Sequence, residues 1–282
     1  MKVASSIAGL RKQLAGERCI AFVPTMGNLH EGHLGLVRIA REHCDCVVAS
    51  IFVNPLQFGP GEDFDKYPRT LEEDCARLRG LADVVFTPSI KEIYPERQTV
   101  FVEPPPIANE LEGATRPGHF RGMATVVLKL LNIVQPQVAV FGKKDYQQLH
   151  IIRKLVAQLN LPIRIVGGET LRAPDGLALS SRNHYLSKAE RGEAIFLYQM
   201  LQRISQDLLQ GERDMERLQQ QAIEDLVARG WIVDYVAIRN QSDMLPARRA
   251  KSGLAQRNLV VLAAARLGNT RLLDNVEVSL NH

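Results

Sequence analysis

The run His30-Glu31-Gly32-His33 places two imidazoles three residues apart, on one face if they open a helix. The start of such a helix is expected to offer free backbone N–H groups and the positive end of its dipole, both suited to phosphate. Protonated imidazoles there would add positive charge where phosphate charge develops during transfer. Gly32 removes a side chain where a nucleotide would need the backbone close. A zinc pair or a surface pair is the competing reading. Zinc ligands on one helix more often sit at i and i+4, and no third ligand is near in sequence.

Five further runs bear on the chemistry. Val53-Asn54-Pro55-Leu56-Gln57-Phe58-Gly59 supplies neutral hydrogen-bonding groups that suit a hydroxyl or carboxylate of a small substrate, although Asn-Pro is also a common turn pair. Gly59–Pro68 is rich in Gly, Pro and Asp and reads as a mobile loop or lid. Glu112–Gly122 gathers Arg116, His119 and Arg121, as an anion site or as a plain surface loop. Gly142-Lys143-Lys144-Asp145 offers lysines for phosphate at a strand-to-helix junction, where Asp145 either caps the helix or holds a magnesium-linked group. Asp175–Asn183 puts Ser180, Ser181 and Arg182 on one short loop able to bind polyphosphate.

These runs must be positioned by strands. Short apolar stretches at Cys19–Pro24, Cys46–Val53, Asp83–Thr87, Val138–Phe141 and Ile163–Val166 alternate with helical spacing at 34–43, 70–81, 123–134 and 146–159. Five buried strands separated by helices predict a Rossmann-like parallel sheet with helices on both faces. In such a sheet ligands bind at the carboxyl ends of the strands, where the chemical runs fall. The N-terminus, 1–14, reads as a short amphipathic helix. After Gly167 the pattern changes to a long helix over 187–210, opened by the capping box Ser187/Glu190, a second helix over 214–229, and strands at 233–239, 259–265 and 276–280. That predicts a smaller α+β domain, with the boundary near Pro174–Asp175: domains 1–174 and 175–282.

Composition sets the limits. The chain has 282 residues, 45% of them apolar and 23% charged, which excludes disorder as the dominant state. The net charge of +4 suits handling of anions but is too scattered to indicate nucleic acid, and the densest basic cluster, Arg248, Arg249 and Lys251, reads as a solvated turn. No apolar run approaches membrane-spanning length, and no signal peptide is recognised. The four cysteines, Cys19, Cys44, Cys46 and Cys75, lack zinc spacing and are sparse for a disulfide scaffold. Cys19 and Cys46 are expected as small core residues in a reducing, cytoplasmic setting.

Taken in order, Pro24–His33, Val53–Phe58, Arg116–Gly122, Gly142–Gln148 and Gly176–Asn183 resemble the pantoate–β-alanine ligase family over essentially the whole chain. His-x-Gly-His with a distal Ser-Ser-Arg loop also resembles the wider nucleotidyltransferase superfamily that includes class I aminoacyl-tRNA synthetases. The resemblance implies a dimer with a Rossmann-like N-terminal domain and a smaller C-terminal lid domain. It implies that ATP and Mg2+ activate pantoate as pantoyl adenylate, from which the amine of β-alanine displaces AMP. By the same resemblance, Met26, Gly27, Asn28, Leu29, His30, Glu31, Gly32 and His33 line the ATP site, with His33 in the proton-donor position. Gly142, Lys143, Lys144, Asp145, Leu171, Leu179, Ser180, Ser181 and Arg182 complete it. Lys144, His30 and the Ser180–Arg182 segment share the catalytic role. Gln57 and Gln148 match the pantoate-binding glutamines, with Gln57 near β-alanine; Pro24, Met26 and Asn54 adjoin them. The metal is expected to travel with ATP.

Two departures from the family pattern stand out: Lys143, where Glu is frequent, adds charge, and Leu179 replaces Met at similar volume. A nucleotidyltransferase acting on a phosphate substrate is disfavoured by the neutral Asn54 and Gln57. A non-catalytic binding module is disfavoured by the retention of His30, His33, Lys144 and Arg182.

Overall fold

The computed structural model describes residues 1–59, 61–62, 64–247, 249–250, 253–254 and 257–280; Arg248 and Lys251 of the basic cluster lie outside the described residues. The chain divides into two compact units, Met1–Lys143 with Ile151–Leu171, and Lys144–His150 with Arg172–His282.

Among its described residues the first unit holds six strands: β1 (Lys2–Ala4), β2 (Ile20–Thr25), β3 (Cys46–Ile51), β4 (Val84–Phe86), β5 (Val138–Gly142) and β6 (Arg164–Gly168). All pair in parallel in the order β1-β4-β3-β2-β5-β6. Six α-helices fall wholly among its described residues: α1 (Ile7–Leu14), α2 (Glu31–Arg41), α3 (Leu71–Leu78), α4 (Ile90–Ile93), α5 (Glu112–Thr115) and α6 (His119–Val134). A seventh, α7 (Tyr146–Gln158), follows β5 in the chain. Strand β3 is buried along nearly its whole length, which is why it reads as an unbroken apolar run rather than an alternating one. From β2 the chain winds outward one way to β3 and β4, and from β5 the other way to β6. The neighbours β2 and β5 therefore form the switch point where open α/β sheets bind ligands. The His-x-Gly-His run leaves the end of β2, and Lys143 follows the end of β5.

The second unit is α+β. It contains α8 (Lys188–Glu193), α9 (Ile195–Leu209), α10 (Met215–Ala228), β7 (Ile232–Asn240), β8 (Arg249–Ala250), β9 (Gly253–Leu254), β10 (Asn258–Leu267) and β11 (Thr270–Ser279). Strands β11, β10 and β7 form an antiparallel sheet in that order, and β8 pairs with β9. Its core joins Leu197, Leu201 and Leu208 of α9 and Leu226 of α10 to Val261 and Ala263 of β10.

Three expectations need correction. Residues 1–14 are not one helix: Lys2–Ala4 is an edge strand beside β4, with Lys2 opposite Val84. Three residues are too few to show a period, so an available sheet edge decides their conformation. The helix expected over 187–210 is two, joined at Ala194, and Gly192, a weak helix former, lies just before the join. Its Ser187/Glu190 capping box is present as expected. Cys19 is not a free core thiol but is bonded to Cys44; Cys46 is buried and free, and Cys75 is free.

Candidate active site

The turn between β2 and α2 is held almost entirely by its own backbone donors. Gly27 N–H donates to Thr25 Oγ1 at 3.2 Å. Asn28 N–H and Leu29 N–H donate to the two carboxylate oxygens of Asp74 at 2.9 and 2.7 Å. His30 N–H donates to His33 Nδ1 at 3.3 Å, and Gly32 N–H donates to His30 Nδ1 at 3.1 Å. Gly27 and Asn28 are both left-handed, with φ of 84° and 50°. The Gly27 turn also needs the missing side chain, since a Cβ there would meet Asp74 Oδ2 at 3.0 Å.

This corrects the expectation of free amides awaiting phosphate. The donors of Gly27 to His30, with those of Gly32 and His33, already have protein acceptors. Each Nδ1 accepts a backbone proton, so adding a proton at Nδ1 breaks a helix cap. The rings sit 4.1 Å apart, centroid to centroid. Glu31, by contrast, faces outward and pairs with Arg38 at 3.1 Å.

The turn after β3 orients Gln57. Asn54 is 1% exposed, and its amide is fully engaged. Nδ2 donates to Gln57 Oε1 at 3.1 Å and to Gly122 O at 3.3 Å, while Oδ1 accepts from Tyr94 Oη at 2.8 Å and from Leu56 N–H at 3.3 Å. Asn54 thus sets the Gln57 amide rather than presenting its own polar atoms outward. Gln57 Nε2 approaches Met26 Sδ at 3.0 Å. A Cβ on Gly122 would lie 1.9 Å from Leu56 O, so only glycine lets α6 press this close to the turn. Pro24, half-buried, lies in β2 just before the histidine loop.

Arg116, His119 and Arg121 do not form an open anion site. Arg116 binds both Glu62 oxygens at 2.7 Å, and Arg121 pairs with Glu103 at 3.3 Å. His119 is buried; its Nδ1–H donates to the Gln57 carbonyl at 2.8 Å, and its Nε2 accepts from Arg116 Nη1 at 3.2 Å. Burial first, and the Arg116 charge second, push its pKa down to about 4. Burial would raise the Glu62 carboxyl, but hydrogen bonds from Arg116 prevail and its pKa is lowered. Elsewhere in the loop expected to be a mobile lid, Phe64 and Tyr67 each pack edge-on against Phe58, which precedes it, and Tyr67 is buried.

Lys143 pairs with Glu169 at 2.5 Å, so the charge it was expected to add is balanced locally. Leu171 lies over α2, where a Cβ on Gly35 would meet its Cδ1 at 2.8 Å. Gly142 ends β5.

In the second unit, Lys144 O accepts from Asn275 Nδ2 at 2.8 Å, Asp145 is exposed, and Gln148 is half-buried. Leu179, Ser180, Ser181 and Arg182 are half-buried on one turn, in which Arg182 N–H donates to Ser180 Oγ at 3.3 Å. Arg172 secures this loop: it donates to Asp274 at 2.6 and 2.9 Å and to Gly176 O at 3.1 Å, and stacks on the Tyr198 ring at 3.6 Å.

Sequence reading missed Asp74, Tyr94 and Arg172 as organisers of these loops. Asp74 shares the first turn of α3 with Glu72 and Glu73, and nothing in spacing ties it to residues 46 positions earlier. Among the described residues, no group of three or more His, Cys, Asp and Glu side chains converges as a metal cage requires.

A family model described as Pantoate-beta-alanine ligase matches residues 2–277. The chain is 59% identical over 281 residues to the pantothenate synthetase of Methylobacillus flagellatus, covering 99% of each. It is similar to the crystal structure of pantothenate synthetase from Thermus thermophilus at a TM-score of 0.92 and 45% identity, covering 99% of this chain and 100% of that one. The Francisella tularensis pantoate-beta-alanine ligase, complexed with beta-gamma ATP and beta-alanine, aligns at a TM-score of 0.81 and 36% identity, covering 98% and 97%.

Proposed function

The chain belongs to the pantoate–β-alanine ligase family, and we propose that it joins pantoate to β-alanine through pantoyl adenylate, consuming ATP and releasing AMP and pyrophosphate. The observation that carries this reading is the Gln57 amide, fixed by Asn54 and placed 3.0 Å from Met26 at the entry to the histidine turn. A neutral donor beside the phosphate-handling loop suits a small hydroxy acid.

A pantoate carboxylate oxygen attacks the α-phosphorus of ATP; the new P–O bond forms as the bond to pyrophosphate breaks. The amine of β-alanine then attacks the acyl carbon, and the C–O bond to AMP breaks as the nitrogen loses its proton. No protein nucleophile is needed. His30 and His33 act in the first step as preorganised Nε2–H donors to phosphate oxygens. Gly142, Lys143, Asp145, Leu171 and Leu179 contact ATP, as do Met26–His33. Lys144, Ser180, Ser181 and Arg182 supply the cationic and hydroxyl groups for its phosphates. Gln57 and Gln148 hold pantoate, with Pro24 and Met26 shaping its surroundings and Asn54 setting Gln57. Magnesium enters with ATP as the counter-ion of its phosphates, and no step is assigned to a protein-held ion.

The division into 1–174, binding nucleotide and pantoate, and 175–282, a smaller domain, is part of this reading. So are a homodimer and a cytoplasmic setting; no helix among the described residues is long and apolar enough to cross a membrane.

The test is exchange of labelled pyrophosphate into ATP with β-alanine omitted. Exchange that requires pantoate establishes a reversible pantoyl adenylate. Absence of both exchange and pantothenate formation overturns the reading and points to a nucleotidyltransferase.

A further inference from the structure

We propose that Asp74 is a positioning residue that builds the nucleotide loop before any nucleotide arrives. The proposal rests on the assignment of Met26–His33 to ATP. Two successive left-handed residues, Gly27 and Asn28, turn neighbouring N–H groups toward one point. Such a concave backbone nest ordinarily attracts an anion. Here the anion is the carboxylate of Asp74, which takes Asn28 N–H on Oδ2 and Leu29 N–H on Oδ1. Thr70 Oγ1 donates to the same Oδ2 at 3.2 Å, and Asp74 is 1% exposed.

This seat has a consequence for the chemistry. A phosphate entering this turn does not need to occupy the nest, because the nest is closed from behind by the protein. The left-handed strain at Asn28 is held in place by the carboxylate rather than by ligand. The loop can therefore present the His30 and His33 rings in one orientation in the free enzyme, and binding energy is not spent on ordering it. An asparagine at 74 keeps the shape but accepts on only one atom and turns an NH2 toward the second backbone donor.

The experiment measures calorimetric binding of a non-hydrolysable β,γ-methylene ATP analogue with magnesium to wild type, Asp74→Asn and Thr70→Val. Asp74→Asn is expected to bind about tenfold more weakly, as for loss of one charge-assisted hydrogen bond. Thr70→Val is expected to weaken binding by about threefold, as for a neutral bond. The pantoate KM in pyrophosphate exchange is expected to stay within about twofold, a split that general destabilisation of the fold would not produce. Thr70 makes no side-chain cap to α3, so Thr70→Val leaves the helix start as it is and carries the test if Asp74→Asn does not fold. Wild-type affinity in both variants overturns the proposal. Recovery of Asp74→Asn by excess magnesium also overturns it, by making Asp74 a metal ligand. If variant-dependent analogue binding is found where wild type shows no pantoate-dependent exchange, the ligase reading fails and the role of Asp74 stands.

Discussion

His30 and His33 cap the same helix for each other: His30 N–H donates to His33 Nδ1, while His30 Nδ1 receives Gly32 N–H, with the rings 4.1 Å apart. The pair is therefore a structural cap, and in the proposed mechanism it is also a pair of Nε2–H donors. Imidazole 15N shifts at neutral pH are expected to show both Nδ1 atoms unprotonated and both Nε2 atoms protonated. An Nδ1–H form at either ring would contradict the assignment.

His33→Ala removes a donor and half of the reciprocal cap. Adenylation should fall by about 10²-fold or more, as for loss of one preorganised electrostatic group. The fold should lose about 1 kcal/mol, as for loss of an N-cap. Pyrophosphate exchange and a denaturant titration measure the two separately. Near-wild-type turnover would remove His33 from the mechanism.

Tyr94→Phe deletes one of the four hydrogen bonds that fix the Asn54 amide, and so loosens the group that sets Gln57. The pantoate KM should rise about fivefold, the equivalent of about 1 kcal/mol, with the ATP KM unchanged. Gln148→Ala should likewise raise the pantoate KM more than the ATP KM. The reverse order in either variant would misplace the acid site.

Stability should fall between pH 6.5 and about 4. Burial, then Arg116, holds His119 neutral in the folded chain down to about pH 4, whereas the unfolded chain takes up its proton near 6.5. Over that window the unfolded state binds more protons, so folding loses up to about 1.4 kcal/mol per pH unit as pH falls. Glu62 acts in the same direction at lower pH: its lowered folded pKa gives stability above the unfolded value of 4.5 that disappears as pH falls further. Urea unfolding across this range should show a shallower slope for His119→Gln; an unchanged slope would put the acid sensitivity elsewhere.

Cys19 and Cys44 enclose β2, the histidine turn and α2 in a loop of 25 residues' separation. Reduction, or Cys19→Ser, should lower stability by about 2–4 kcal/mol through the unfolded chain's regained freedom. In denaturant without reductant, two thiols should react, those of Cys46 and Cys75. Four reactive thiols would show the pair open. In the native state Cys46 should be inert, since burial, aided by Glu17 and Asp83, pushes its pKa up to about 11.

Features that depend on neighbours along the chain are legible in the residues alone. The apolar runs that became β2, β3 and β5 were legible because strands buried on both faces leave no polar alternation. The Ser187/Glu190 box was legible because both partners lie within one helical turn. The chemical runs were legible because each is contiguous in the chain, and three of them adjoin the ends of β2, β3 and β5. Folding, by contrast, sets which groups those loops spend on themselves. Asp74 closing the nest at Asn28, Tyr94 steering Gln57 through Asn54, and Cys19 meeting Cys44 all join residues 25 to 46 positions apart. Contacts at that separation follow from strand order and helix placement, and no local spacing encodes them. The same holds for the charges: Arg116 and Lys143 read as free cations in sequence, and only the folded chain brings Glu62 and Glu169 against them.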